Sequence, residues 1–173
     1  MNKPTGRSSS RPPPADPSAP PRIAEQTSNH AFGTWHHLVI VVWKGETTIP
    51  ALKGCGTLVH ALAKDMRKPV GLLTIVEEGA PLPSAEARKA TAELMSGAPI
   101  KLSAMVFEGQ GFRAAAVRGV ITGIGLLART PYSHRTFGTV KDAAVWIEKE
   151  MRGDEPHPML RSAIVGAVNR FRG

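Results

Sequence analysis

Cysteine and aromatic side chains are scarce in this sequence. Cys55 is the single cysteine among 173 residues, which excludes an internal disulfide and a zinc site built on several cysteines. A lone thiol suits a reducing compartment, so we expect a cytoplasmic protein. Aromatic residues make up 5% of the chain, with one tyrosine, which leaves few rings on which nucleic-acid bases could stack.

Long apolar runs are also missing. The longest run, around 120–128, falls short of the ~20 residues that a membrane-spanning helix needs, and the N-terminus lacks the apolar segment of a signal peptide. We therefore expect no membrane span and no export. Lysine and arginine total 22 against 14 acidic residues, a net charge of +8. That excess favours acidic partners such as nucleic acid or an anionic membrane.

The first thirty residues differ in composition from the rest. Residues 1–30 combine many prolines and serines with almost no large apolar side chains, so burial could not offset the entropy lost on ordering. The sequence predicts a disordered Pro/Ser/Arg-rich tail over 1–30. We expect an α/β domain over 31–153 and an amphipathic helix over 154–173.

Three continuous apolar runs, at 38–43, 70–76 and 102–107, alternate with helical stretches. This order is typical of βαβ units, and runs without alternation indicate strands covered on both faces. A weaker strand is predicted around 135–137, and a partner strand before Trp35. The fold class expected is α/β, with a mixed, mostly parallel sheet of four to five strands flanked by helices.

Two of the predicted helices carry a side chain of chemical interest. Cys55 lies on the apolar stripe of a helix over about 52–66, which favours a core thiol over a nucleophile. A second helix is predicted over about 84–96, with Ser84 as the N-cap whose hydroxyl would bind the first backbone amides.

The helix predicted over 112–128 is apolar most of the way around. Its small residues Ala115, Gly119 and Gly123 repeat every four positions and would lie against the sheet. A second apolar face would then need cover from the terminal helix of the same chain or from a second subunit, and we favour a homodimer. The interface residues predicted are Val117, Ile121, Ile124, Leu160, Ile164 and Val168.

Each strong strand runs into a glutamate near a glycine. In an open α/β sheet the carboxyl ends of the strands form the ligand crevice. The sequence therefore predicts a ligand rim, although helix N-termini attract acids without any ligand. The predicted rim consists of Glu46, Glu77, Glu78, Glu108, Gln110 and Arg113.

Catalytic and metal-binding motifs are missing. The sequence contains no nucleophile elbow, Walker loop, paired-cysteine site or His-x-x-x-His helix. The adjacent His36 and His37 would point to opposite faces of a strand, so they could not chelate one ion. We predict a protein that is not an enzyme and that holds no metal and no cofactor.

The stretch 137–147, which reads FGTVKDAAVWI, resembles the end of SpoIIAA-like STAS domains (sulphate transporter and anti-sigma-factor antagonist). There a last strand with a Phe leads into a short helix that carries Ala and Trp. The earlier elements follow the order of that family, so the resemblance covers about 38–151. It implies a helix-covered sheet and a role in protein interaction or small apolar ligand binding. The family's Asp-Ser-Ser/Thr phosphorylation switch is missing, although Ser84 has its location.

Two functions follow from these observations. The first is a non-enzymatic STAS-like module in bacterial signalling regulation, which binds a protein partner or a small apolar ligand. The alternative is nucleic-acid binding through the basic tail and the terminal arginines, against which the low aromatic content counts.

Overall fold

The computed structural model describes residues 19–109, 111–128, 130–153 and 159–173. Among them, six strands form one sheet in the order of the chain. Strands β1, β2 and β3 pair antiparallel, and β3 to β6 pair parallel. The strands are β1 (Arg22–Gln26), β2 (His30–Trp35), β3 (Leu38–Trp43), β4 (Val70–Val76), β5 (Ile100–Phe107) and β6 (Ser133–Phe137). The predicted mixed α/β class is confirmed, with six strands instead of four to five.

Five helices accompany the sheet in the described part of the chain. They are α1 (Ile49–Met66), α2 (Ala85–Gly97), α3 (Gly111–Ala128), α4 (Val140–Glu150) and α5 (Arg161–Arg172). The first three connect the parallel strands and share apolar clusters on one side of the sheet. Helices α4 and α5 pack on the other side.

Side chains alternate between the two faces of the sheet along each strand, so one strand contributes to the apolar core on both sides. On β3, Val39 and Val41 face α1, while Leu38, Ile40 and Val42 face α4 and α5. Because successive side chains of a strand point to opposite faces, a continuous apolar run fits a strand that is covered on both sides. This is the arrangement that the sequence predicted for its three strong runs.

The predicted tail is wrong over its last residues. Strand β1 lies inside 1–30 and pairs with β2, and the Trp35 indole Nε1 donates a hydrogen bond to the Ala19 carbonyl at 3.0 Å. All five side chains of β1 are exposed, so its pairing depends on backbone hydrogen bonds and on the contact of Glu25 Oε1 with His30 Nε2 at 2.7 Å. Neither leaves an apolar signal in the sequence. Residues 1–18 lie outside the described residues.

Gly33 on β2 allows a close approach of two other elements. A Cβ at this position would collide with the carbonyl oxygen of Arg22 and with the ring of Phe171. The missing side chain of Gly33 therefore leaves room for β1 and for the ring of Phe171 on α5. Both ends of the described chain thus pack against β2.

Helix α3 is turned the opposite way from the prediction. Ala115 and Gly119 are exposed, whereas Val117 and Ile124 are buried against the sheet and α2. Burial of the larger side chains removes more apolar area from water than burial of a strip of alanine and glycine. The structure does not describe the side chain of Ile121.

Helix α5 belongs to the core of its own chain. Ile164 and Val168 are fully buried there with Phe171, so they are not available to the homodimer interface predicted from the sequence. Leu160 stays exposed, and self-association stays a prediction. Within the described ranges, no helix combines the length and apolar character needed to cross a bilayer.

Candidate functional site: an apolar cavity between the sheet and helices α1 to α3

A cavity of about 100 Å³ lies between the sheet and the three connecting helices. Strands β3, β4 and β5 form its floor, helices α1, α2 and α3 form its walls, and the segment before α2 borders its mouth. The described floor residues are Val41, Trp43, Leu72, Thr74, Val76, Ser103 and Met105. The described wall residues are Leu52, Cys55, Val59, Thr91, Leu94, Met95, Val117, Val120 and Ile124.

Strand register explains why these floor residues meet. Leu72 pairs with Ser103, and Thr74 pairs with Met105. Paired residues of parallel strands point to the same side of the sheet, so both pairs face the connecting helices. Thr74 and Ser103 are therefore diagonal neighbours on adjacent strands, about 8 Å apart at Cα from the usual strand spacing and rise.

Two hydroxyl groups interrupt the apolar floor. Ser103 is 1% exposed and Thr74 is 8% exposed, so bulk water reaches neither side chain freely. Both side chains line the cavity. A hydroxyl group in this position can donate a hydrogen bond to a bound molecule or accept one from it.

Cys55 contributes its thiol to the wall of the cavity on α1. Burial, together with a smaller contribution from the negative charge of Glu25, raises the pKa of this thiol to about 12. The thiol therefore stays protonated at neutral pH. The prediction of a core thiol is confirmed, since Cys55 is buried, and its position on a cavity wall is a new observation.

The mouth of the cavity is bordered by Thr47 and by the segment 80–83. Leu82 in this segment is 47% exposed, an unusual position for a large apolar side chain. Two hydrogen bonds hold the segment: the Ala80 amide donates to the Glu77 carbonyl at 3.0 Å, and Arg88 Nη1 donates to the Pro83 carbonyl at 2.9 Å. Leu82 thus gives the cavity an apolar edge at the protein surface.

The predicted rim lies outside this cavity. Glu77 and Glu108 approach Arg172 of α5, at 3.7 Å and 2.6 Å. Glu46 and Glu78 are exposed. None of these four glutamates lines the cavity. Gln110 and the side chain of Arg113 lie outside the described residues.

Ser84 caps helix α2. Its Oγ accepts a hydrogen bond from the Ala87 amide at 3.1 Å, as expected for an N-cap serine. The side chain is exposed, but this contact gives it a structural role. Whether Ser84 is also a phosphorylation switch stays a prediction.

His36 and His37 form the two-residue turn between β2 and β3, between the paired residues Trp35 and Leu38. The φ of His36 is 50°, a left-handed conformation that turns favour. Both residues therefore lie in a turn and not on a strand, so the strand location assumed from the sequence is wrong. Across the described residues, no three His, Cys, Asp or Glu side chains gather as metal ligands.

His134 is a half-buried polar residue on the strand beside Ser103 that the sequence did not indicate. It pairs with Ser103 across β5 and β6, and burial lowers the pKa of its imidazole. Its Nδ1 has no hydrogen-bond partner. The sequence signal that could have indicated the site is the placement of Thr74 and Ser103 within otherwise apolar strands.

Comparisons with known proteins give one structural similarity. No protein-family model matches the chain, and no curated protein matches it. Among solved structures, the chain is similar to an uncharacterized protein of the DUF3478 family with a SpoIIAA-like fold from Shewanella loihica PV-4. The TM-score is 0.44 and the identity 16%, over 73% of this chain and 93% of that chain.

Proposed function

We propose that this chain is a non-enzymatic binding module that holds a small apolar ligand in the cavity between the sheet and helices α1 to α3. The observation that carries the proposal is the cavity itself, whose described lining is mostly aliphatic, aromatic and methionine side chains. Ligand pockets in proteins are mostly apolar, with a few polar groups that orient the ligand.

The size of the cavity supports a ligand of one ring or a short hydrocarbon chain. Its volume is about 100 Å³, smaller than the apolar cavity of about 150 Å³ that binds benzene in another protein, so a single ring would fill it and reach toward the mouth. A longer ligand would extend through the mouth beside Leu82. Burial of its apolar surface would provide the driving force, at roughly 25 cal/mol per Å².

The chemically reactive groups nearby support binding over catalysis. Cys55 faces the cavity, but its raised pKa keeps the thiol protonated and weakly nucleophilic. Glu77 and Glu108, the acids that would be the candidate general bases, approach Arg172. Ser84 caps a helix.

Calorimetric titration of the purified protein with toluene tests the proposal. We expect saturable 1:1 binding with a negative heat-capacity change, the signature of apolar burial, and a rise in melting temperature with ligand concentration. Absence of binding by toluene and by short-chain hydrocarbons would overturn the proposal.

A matched pair of variants on α1 tests whether toluene binds in the cavity. Cys55→Leu adds apolar volume inside the wall, whereas Thr57→Leu adds it at an exposed position two residues away. We expect Cys55→Leu to weaken toluene binding at least tenfold and Thr57→Leu to leave it unchanged. Equal affinity in both variants would mean that toluene binds elsewhere.

A further inference from the structure

The floor of the cavity is the strongest source of ligand specificity in the described structure. Thr74 and Ser103 are its two buried polar side chains with hydroxyl groups, and both face the helices that form the walls. Hydroxyl groups can donate and accept hydrogen bonds. A ligand that carries a hydroxyl group could exchange hydrogen bonds with them, which a purely apolar ligand could not do.

The charge of the lining limits the polar group that a ligand could bring. Among the lining residues whose side chains the structure describes, none carries a charge at neutral pH, since Cys55 stays protonated. An ionised carboxylate or ammonium group would lose its hydration on entering without gaining a described partner of opposite charge. A neutral group that can both donate and accept a hydrogen bond has no such cost.

We infer that the cavity selects neutral ligands of the phenol or alcohol class, with the hydroxyl directed to Thr74 and Ser103 and the hydrocarbon part against the helices. This inference rests on the proposed function. Thr74 and Ser103 are then specificity-determining residues, and the apolar walls supply affinity. The half-buried imidazole of His134, which pairs with Ser103 on the neighbouring strand, adds a polar group on the same side of the sheet.

The experiment compares phenol, toluene and benzoate by calorimetric titration at neutral pH. Phenol and toluene have rings of the same size and differ in the polar group, while benzoate carries a charge. The protein variants are Thr74→Val, which keeps the side-chain shape, and Ser103→Ala. Each variant is tested alone and both are combined, so one that fails to fold does not end the test.

We expect wild type to bind phenol and toluene, and to bind benzoate at least tenfold more weakly than phenol. In the variants we expect phenol binding to weaken about tenfold relative to toluene, because the hydrogen-bond partner is gone while the apolar contacts remain. A ratio of phenol to toluene affinity that stays the same in both variants would overturn the inference.

The failures of the two proposals are distinguishable. If wild type binds toluene but excludes phenol, the apolar binding function stands and the selection for a hydroxyl is wrong. If benzoate binds as tightly as phenol, the neutrality of the ligand is wrong. If none of the three compounds binds, the proposed function fails, and the inference fails with it.

Discussion

Arg172, the last residue but one, donates a hydrogen bond from Nη2 to Glu108 Oε2 at 2.6 Å. Its Nε lies 3.7 Å from Glu77 Oε1, and its backbone carbonyl accepts a hydrogen bond from Lys44 Nζ at 2.7 Å. The C-terminal turn of α5 is thus joined to residues that follow three parallel strands. Two of the acids predicted to meet a ligand meet the chain's own terminus instead.

Replacement of Arg172 tests this connection. We expect Arg172→Gln to lower the free energy of unfolding by about 1 kcal/mol, because these ion pairs are partly exposed and pairs of this kind contribute modestly. The control is Arg170→Gln on the same turn, where the side chain is exposed. Urea denaturation at low and high salt measures both. A loss at Arg172 that equals the loss at Arg170, or that does not shrink with salt, would contradict the ion-pair account.

Truncation at the N-terminus tests the role of β1. A chain that begins at residue 30 lacks β1 and the Ala19 carbonyl that accepts from Trp35. We expect its melting temperature to fall by more than about 5 °C, since the edge of the sheet and the indole each lose hydrogen-bond partners. A chain that begins at residue 19 is the control and should melt near wild type. Equal melting of the two truncated chains would mean that β1 contributes nothing to stability.

The three strands that the sequence predicted most clearly are those with continuous apolar runs. The runs that became β3, β4 and β5 are buried on both faces, so nearly every position had to be apolar, and that pattern is visible in one dimension. Strand β1 escaped prediction because its side chains are all exposed. Backbone pairing with β2 and the contact between Glu25 and His30 position it, and neither produces an apolar pattern along the sequence.

The candidate site was only partly predictable, because contacts between residues far apart in the sequence leave no local pattern. The carboxyl ends of parallel strands were expected to hold the ligand crevice, and the cavity does lie over β3, β4 and β5. The sequence could not show that Arg172, 64 positions after Glu108, returns to pair with it. It also could not show which face of α3 turns inward, because both of its faces are apolar or small.

Ser84 offers a test of the capping role against a switch. We expect Ser84→Ala to destabilise the protein by about 0.5–2 kcal/mol through loss of the hydrogen bond to the Ala87 amide. Ser84→Asp should keep near wild-type stability, because aspartate also caps helices and its charge suits the N-terminus. Chemical denaturation of the three proteins measures the difference. Equal stability of Ser84→Ala and wild type would remove the capping role.

Because the pKa of the buried Cys55 thiol is raised, we expect the protein to lose stability at alkaline pH. The pKa of this thiol is about 12 in the folded protein, against 9.0 for an ordinary thiol. Above pH 9 the unfolded chain releases this proton while the folded chain keeps it. The stabilising contribution is therefore complete below pH 9 and is lost as pH rises toward 12.

Urea denaturation at pH 8 and pH 10, with a reducing agent, measures this effect. We expect the free energy of unfolding to fall from pH 8 to pH 10 in both proteins. The fall should be smaller in Cys55→Val than in wild type, because valine has no proton to release. The raised pKa of Tyr132 acts in the same direction and stays in both proteins as a shared background. An unchanged pH dependence in Cys55→Val would contradict the burial of an ionisable thiol at this site.

The methionine methyl groups give the most direct test of ligand binding in the cavity. Met95 and Met105 line the cavity, whereas Met151 and Met159 lie in the core on the opposite side of the sheet. In the carbon-13 methyl spectrum of the full chain, we predict that toluene shifts the Met95 and Met105 signals to saturation and leaves those of Met151 and Met159 in place. Unchanged Met95 and Met105 signals at saturating toluene, or equal shifts at all four methionines, would contradict the account.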